Sequence, residues 1–169
     1  MANLRGPRVV LRPAGADDIP ALEDIRREPA VERWWGVLED GELAEDLAAE
    51  NDDVVILAIE VAGDMVGAIQ WYQERTPAFR HAGMDIFLTT RVHGRGIGTE
   101  AVRVLARHLI AEHGFHRLVI DPSAANAAAV RAYGKVGFQP VGRLRRSWRG
   151  PDGTWEDQLL MDLLADELT

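Results

Sequence analysis

The residues with the most chemical content are Arg91-Val92-His93-Gly94-Arg95-Gly96-Ile97-Gly98-Thr99, where three alternate glycines stand between a β-rich run and a helix-spaced one. Glycine lets a backbone approach a ligand closely, and the unpaired N–H groups of a helix start, with the dipole behind them, suit a phosphate or pyrophosphate. A Walker loop would need lysine before the Ser or Thr that follows its last glycine, and Thr99 follows Gly98 with no lysine. A dinucleotide fingerprint finds Gly96-x-Gly98-x-x-Ala101 and an acid, Asp121, after the next strand. That fold, however, wants its turn directly after a strand within repeated βαβ units, and here a loop intervenes and one crossover is legible.

Other catalytic chemistries find little support. The chain has no cysteine, which excludes a disulfide scaffold, a thiolate zinc site, an iron–sulfur cluster and a cysteine nucleophile. His81, His93, His108, His113 and His116 show no metal-ligand spacing with carboxylates, so no metal is expected. Ser123 and Ser147 have no histidine in a triad-like motif, which leaves a nucleophilic hydrolase without a basis.

Length and charge bound the rest. At 169 residues the chain buries roughly 70% of its unfolded surface as one domain. Nineteen basic against 27 acidic residues, net −8, argue against a nucleic-acid backbone and favour a cationic small molecule as partner. The longest apolar run, Val54 to Ile59, is far too short for a membrane span, and Met1 to Leu11 has no signal-type apolar core. A cytoplasmic location is the expectation.

The elements that must position the loop follow from periodicity. Pro7 to Pro13 reads as a strand and Ala16 to Arg27 as a helix with Pro20 in its first turn. Pro29 ends that helix, Trp34-Trp35-Gly36 lies in a loop, and Leu38 to Asn51 forms a second helix with an acidic outer face of Glu42, Glu45, Asp46 and Glu50. Val54 to Val61, Met65 to Glu74 and His81 to Thr89 make an antiparallel meander, its first two runs joined at Ala62-Gly63-Asp64. Ile97, Ala101, Val104, Leu105 and Leu109 then share one helix face, Gly114 stops that helix, and Arg117 to Ile120 is a buried strand. Asn126 caps a helix through Val136, closed by Gly137, and Phe138 to Trp148 and Thr154 to Leu164 are strands meeting at Gly150-Pro151-Asp152-Gly153. The expected architecture is one α/β domain over residues 1–169, with a mixed, mostly antiparallel sheet of about six to seven strands, about four helices and one βαβ crossover.

With strand, His93-Gly94-Arg95-Gly96-Ile97-Gly98, helix, strand, Asn126-capped helix with Tyr133, and Gly137-Phe138 in this order, the chain resembles the GNAT superfamily of N-acetyltransferases. His93 departs from the glutamine or arginine usual at its place. The resemblance implies that the glycine loop holds the pyrophosphate of the co-substrate acetyl-CoA, with contacts from Phe87, Leu88, Thr89, Arg91, Val92, Gly94, Arg95, Gly96, Ile97, Gly98, Thr99, Asn126, Ala129 and Tyr133. It also implies an acyl carbonyl polarised by a backbone N–H near Phe87-Leu88, where the strand of such enzymes splays, and a thiolate protonated or hydrogen-bonded by Tyr133.

Val31-Glu32-Arg33-Trp34-Trp35-Gly36 and Asp121-Pro122-Ser123-Ala124-Ala125-Asn126 through Phe138 further resemble the aminoglycoside 6'-N-acetyltransferases, and also the siderophore lysine acyltransferases. Gly134 replaces the glutamate common there. By that likeness Asp85 is the base that takes the ammonium proton, and Asp121 binds an ammonium group of the acceptor. Trp34 and Trp35 are the residues able to stack on a sugar or cation. Taken residue by residue, Asp85 also reads as a solvated strand carboxylate, Tyr133 as a core ring, and Asp121 as a turn residue before Pro122.

The expected activity is direct transfer of acetyl to a primary amine of a polycationic small molecule, foremost the 6'-amine of an aminoglycoside. The alternatives are a protein N-terminus of the ribosomal-protein type, a polyamine or a siderophore lysine. The last hairpin, Gly142 to Trp155, also looks like the ribosomal-protein branch. A non-catalytic acyl-CoA-binding module is the rival of another class. The leucine-rich tail, Leu159 to Leu168, pairs across a dimer or completes the core, so a monomer or homodimer is expected.

Overall fold

Runs rich in β-branched and other apolar residues, Val54 to Ile59 among them, set the strands of the first half of the chain. The computed structural model, which describes residues 2–48 and 54–169, runs β1 (Leu4–Arg5), β2 (Val9–Pro13), β3 (Val54–Val61), β4 (Asp64–Glu74) and β5 (His81–Leu88) as an antiparallel meander. Ala62 and Gly63 turn β3 into β4 with φ of 53° and 87°, the double left-handed geometry that matches strand twist. The period then becomes helical. α4 (Ile97–Ala111) buries Ile97, Ala101, Val102, Leu105 and Leu109, and β6 (Arg117–Ile120) returns parallel to β5. After α5 (Ala127–Gly134), β7 (Gln139–Arg149) and β8 (Trp155–Leu164) close an eight-stranded sheet ordered β1-β2-β3-β4-β5-β6-β8-β7.

α4 packs the main core, with Leu57, Ile69, Met84, Leu118 and Met161, and each such fully buried side chain contributes about 1.5–3 kcal/mol. α1 (Ile19–Arg26), α2 (Pro29–Trp35) and α3 (Glu42–Ala48) form a second cluster, Leu22, Ile25, Val31 and Leu43 meeting Ala68 and Phe87 of the sheet. Leu159, Leu163 and Leu168 of the tail pack into the main core.

Three expectations need correction. The sheet has eight strands with five α-helices among the described residues, because two-residue β1 pairs with β2 and a further helix, α2, fills the stretch after Pro29. Trp34 and Trp35 lie in α2 rather than in a loop. Pro29 both stops α1 and, at the first turn of α2 where its missing N–H costs nothing, starts the next helix. α3 starts at Glu42, after Gly41 at φ 84°, and not at Leu38, while the part of the expected helix at residues 49–51 lies outside the described residues.

β5 and β6 pair only at Ala82↔Leu118 and Gly83↔Val119; beyond them the two strands diverge. On the other side β5 stays zipped to β4 down to Gly67↔Leu88, with a bulge at Ile59/Glu60 in the β3–β4 ladder. Gly67, at φ 156°, lets the Phe87 carbonyl come within 2.1 Å of where a Cβ would stand. Gly67→Ala must push that peptide aside, and is expected to cost about 3 kcal/mol, lowering Tm by roughly 6–12 °C in a calorimetric scan. An unchanged Tm would mean that this approach is not built into the fold.

Candidate active site

The loop after β5 ends in Gly94 (φ 72°) and Gly96 (φ 76°), left-handed positions where a side chain would be strained. Gly96 is the N-cap of α4. The amides of Gly94, Gly96, Ile97, Gly98 and Thr99 make no hydrogen bond among the described residues, leaving five donors at a helix start. A brace from the far edge holds this turn. Glu100 Oε1 accepts from the amides of Arg8 and Val9 (2.6 and 3.0 Å), Arg8 Nε meets Glu100 Oε2 at 2.8 Å, and Arg8 Nη1 donates to the Arg95 carbonyl at 2.9 Å. No Cβ at Gly94 would meet anything within 4 Å, so the space before the amides is open to a ligand.

These amides face a cleft of about 410 Å³ between the loop, α2 and α5. Phe87, Leu88, Val92, Gly94, Gly96, Ile97, Gly98, Thr99, Asn126, Ala129 and Tyr133 line it, as do Trp34, Trp35 and His93. Thr89, Arg91 and Arg95 do not. Thr89 is buried with its hydroxyl on Glu28 (2.6 Å), Arg91 is exposed, and Arg95 contributes its carbonyl to Arg8. Asn126 caps α5, its Oδ1 accepting from Ala129 N at 3.2 Å.

A second pocket of about 190 Å³ adjoins the first, sharing Trp34, Trp35, Ile86, Asn126, Ala129 and Tyr133. Asp85 and Asp121 both line it, from β5 and from the end of β6, because the divergence of these strands leaves a gap between them. Burial pushes the Asp85 carboxyl up, partly offset by the hydrogen bond from Gln70 Nε2 (3.1 Å). Burial, together with the charge of Asp85, pushes Asp121 up to about 6. Tyr133 is 8% exposed, and its hydroxyl makes no hydrogen bond among the described residues. Burial and then the two carboxylates raise it well above the usual phenol range, so it stays protonated.

The splay also sorts the amides of β5. Thr89 N donates to Val66 O on β4, so odd-numbered residues here present their backbone groups to β4. The carbonyls of Ile86 and Leu88 accept instead from Trp35 Nε1 (3.0 Å) and His93 Nε2 (2.8 Å), and so point into the opening. Their own N–H groups share that direction. The donor available near Phe87-Leu88 is thus Leu88 N, while Phe87 N faces β4.

Sequence reasoning passed over Gln70, Tyr72, Trp148 and Gln158. Gln70 and Tyr72 share the Asp85 face of the sheet, Tyr72 lying over Gly83, where a Cβ would stand 2.1 Å from Cζ. Burial, and then Asp85 and Asp121, push its phenol up to about 12. The period-two spacing of Gln70, Tyr72 and the paired Asp85 was a usable signal once register was known. Trp148 and Gln158 line the second pocket from the last hairpin, and nothing local marks them. Asp152 caps its turn through Thr154 N (2.9 Å) and Asp157 holds Arg143 and Arg146 N, neither lining the pocket. Among the described residues no group of three His, Asp or Glu can hold a metal, and no helix is long and apolar enough to cross a membrane.

Comparison with known proteins places this geometry. An aminoglycoside N(6')-acetyltransferase type 1 of Klebsiella pneumoniae is 29% identical over 168 residues, covering 86% of this chain and 79% of its own. A probable N-acetyltransferase of Bacillus subtilis, YjcK, is 29% identical over 117 residues, 68% of this chain, which spans 64% of that protein's length. Among solved structures, Mycobacterium smegmatis RimJ in complex with CoA-disulfide superposes with TM-score 0.83 at 26% identity, covering 99% of this chain and 88% of that one. AAC(6')-Ib in complex with paromomycin and acetyl-CoA gives 0.77 at 25% identity, covering 95% of each chain. Spermidine N-acetyltransferase of Vibrio cholerae, with CoA and spermine, gives 0.83 at 16% identity over 96% of this chain and 98% of that one, a likeness of fold alone. The Acetyltransferase (GNAT) domain profile matches residues 8–139, which carry the meander, the glycine loop, the crossover and α5, and the chain belongs to that family.

Proposed function

We propose that this acetyltransferase domain, acting in the cytoplasm, transfers acetyl from acetyl-CoA directly to a primary amine of a polycationic small molecule, foremost the 6'-amine of an aminoglycoside. The reading is carried by the convergence of Asp85, Asp121 and the Tyr133 hydroxyl in a pocket that opens into the glycine-loop cleft. The 29% identity to an aminoglycoside enzyme over 86% of the chain supports the choice of acceptor, as does the net charge of −8.

Bound acetyl-CoA supplies a thioester whose carbonyl carbon the amine attacks. The five loop amides hold its pyrophosphate, and Leu88 N polarises its carbonyl oxygen. Asp121 and Asp85 hold the cationic acceptor, Asp85 takes the first proton from its ammonium, and Tyr133 gives a proton to the departing sulfur and is restored by the second proton, which the nitrogen sheds once the C–N bond has formed. The new C–N bond replaces the C–S bond with no covalent enzyme intermediate.

Thiol release from acetyl-CoA tests this directly, since a cysteine-free chain does not react with the thiol reagent. Turnover is expected with kanamycin and not with a 6'-hydroxyl aminoglycoside. Turnover with spermidine or a short peptide alone would overturn the acceptor and keep the acetyltransferase. A siderophore lysine compound belongs in the same panel, and acetyl-CoA binding without any turnover would point to a binding module.

The pH profile carries a sign. Asp121 takes up a proton as pH falls through about 6, so the pocket loses negative charge and KM for a cationic acceptor rises below that value. A rising limb of kcat/KM centred near 6 is the expected record, and a profile flat from pH 5 to 8 would remove the carboxylates from acceptor binding.

A further inference from the structure

The divergence of β5 from β6 leaves a problem that the sequence does not announce. The carbonyls of Ile86 and Leu88 have lost the neighbouring strand that would have satisfied them, and a peptide hydrogen-bonded on one edge only is free to tilt. Two side chains from outside the sheet fill that role. Trp35, on α2, donates Nε1–H to Ile86 O at 3.0 Å, and His93, in the glycine loop, donates Nε2–H to Leu88 O at 2.8 Å. A carbonyl only accepts, so the second bond fixes the protonated nitrogen of His93 as Nε2.

These two bonds grip the peptides on either side of the one that carries Leu88 N–H. That central peptide joins Phe87 and Leu88, and its own oxygen is seated against Gly67, where any Cβ would collide with it. We propose that Trp35 and His93 are positioning residues that keep the Leu88 amide aimed into the cleft at the acyl carbonyl oxygen. This proposal rests on the acetyl-CoA reading of the cleft and is independent of which amine is acetylated.

Both anchors are themselves held. The Trp35 ring meets Phe87 edge to face at 5.0 Å, and the guanidinium of Arg26, 2% exposed, lies 5.0 Å from its centroid. His93 follows a short turn whose start is fastened by Glu28, which accepts from Thr89 Oγ1 (2.6 Å), Thr90 N (2.8 Å) and Thr90 Oγ1 (2.7 Å). Glu28 is thus the charged group beside this turn, and it also stands immediately before α2, the helix that carries Trp35. The donor loop and the acceptor-side helix therefore converge on one peptide. His93 replaces the glutamine or arginine expected there, and it supplies a donor that the strand geometry needs.

Trp35→Phe removes the N–H and keeps a ring against Phe87 and Arg26; His93→Ala removes the other donor, and His93→Gln returns one. The deciding measurement is the isotope-edited infrared carbonyl stretch of acetyl-CoA, labelled with ¹³C at the acetyl carbon and bound to each protein. No acceptor is needed. The wild type is expected to lower that frequency from its value in solution, and Trp35→Phe and His93→Ala to return it part of the way. With an accepted amine, kcat should fall about tenfold in these variants while KM for acetyl-CoA stays within about twofold, and His93→Gln should recover most of the loss. Wild-type frequency and kcat in a folded Trp35→Phe would overturn the proposal, as would a lowered Tm with no spectral change, which marks a merely structural role. If the wild type binds acetyl-CoA at its solution frequency, this proposal falls while the cleft assignment stands. A wild type that binds no acetyl-CoA in calorimetry overturns both.

Discussion

Asp85→Asn is expected to lower kcat by about a hundred- to a thousandfold while acetyl-CoA affinity, read by calorimetry, stays at the wild-type value. The side chain sits on β5, two residues past the last pair with β6, where it lines the second pocket and none of the glycine-loop cleft. Asparagine has the same shape and can still accept from Gln70 Nε2, so the loss isolates the carboxylate's ability to take a proton. Stability should move the other way. Burial raises the Asp85 pKa in the folded protein, so folding favours the protonated form and ionisation opposes it. Asparagine imitates the protonated form; Tm of the variant should equal or exceed that of the wild type at pH 8, with the difference shrinking toward pH 4. Retained turnover would leave Asp85 a structural residue and assign the base elsewhere.

Tyr133→Phe is expected to lower kcat about ten- to a hundredfold with little change in Tm. The phenol is held protonated by burial and by two nearby carboxylates, which makes it a proton donor across the working range and removes any basic limb that it would otherwise contribute. Its hydroxyl has no protein partner among the described residues to lose, and phenylalanine keeps the ring contact with Phe138, at 6.4 Å between centroids. A drop in Tm without a drop in kcat would assign the residue to the core. Equal loss in kcat and kcat/KM, with KM unmoved, would mark an interaction made in the transition state.

Some of this site was legible before any coordinates. The glycine loop is readable because a left-handed φ at Gly94 and Gly96 is a property of single residues, and the helix behind it because apolar residues at 97, 101, 105 and 109 repeat at the helical period. Asp85, Tyr133, Asp121 and the tryptophans could be singled out through the family likeness, with a plain structural role open for each. Trp35 shows how a residue type underdetermines its part. Read as a stacking surface for a substrate, it lines both pockets and also has its indole N–H on the Ile86 carbonyl of β5.

What the sequence by itself determined is the order and type of the elements, the single crossover and the loop at its start, all consequences of periodicity and of backbone freedom at individual residues. The short β1 and the restart of a helix at Pro29 escaped it, since a two-residue strand has no period and proline both stops and starts helices. Only the tertiary structure decided where β5 and β6 part, and with that the meeting of Asp85 with Asp121 and the direction of the Leu88 amide. Strand divergence is set by packing between residues far apart in the chain, with α2 and α5 on either side of the gap, and no local pattern encodes it. The chemistry could therefore be listed from the sequence, but its assembly into one site required the fold.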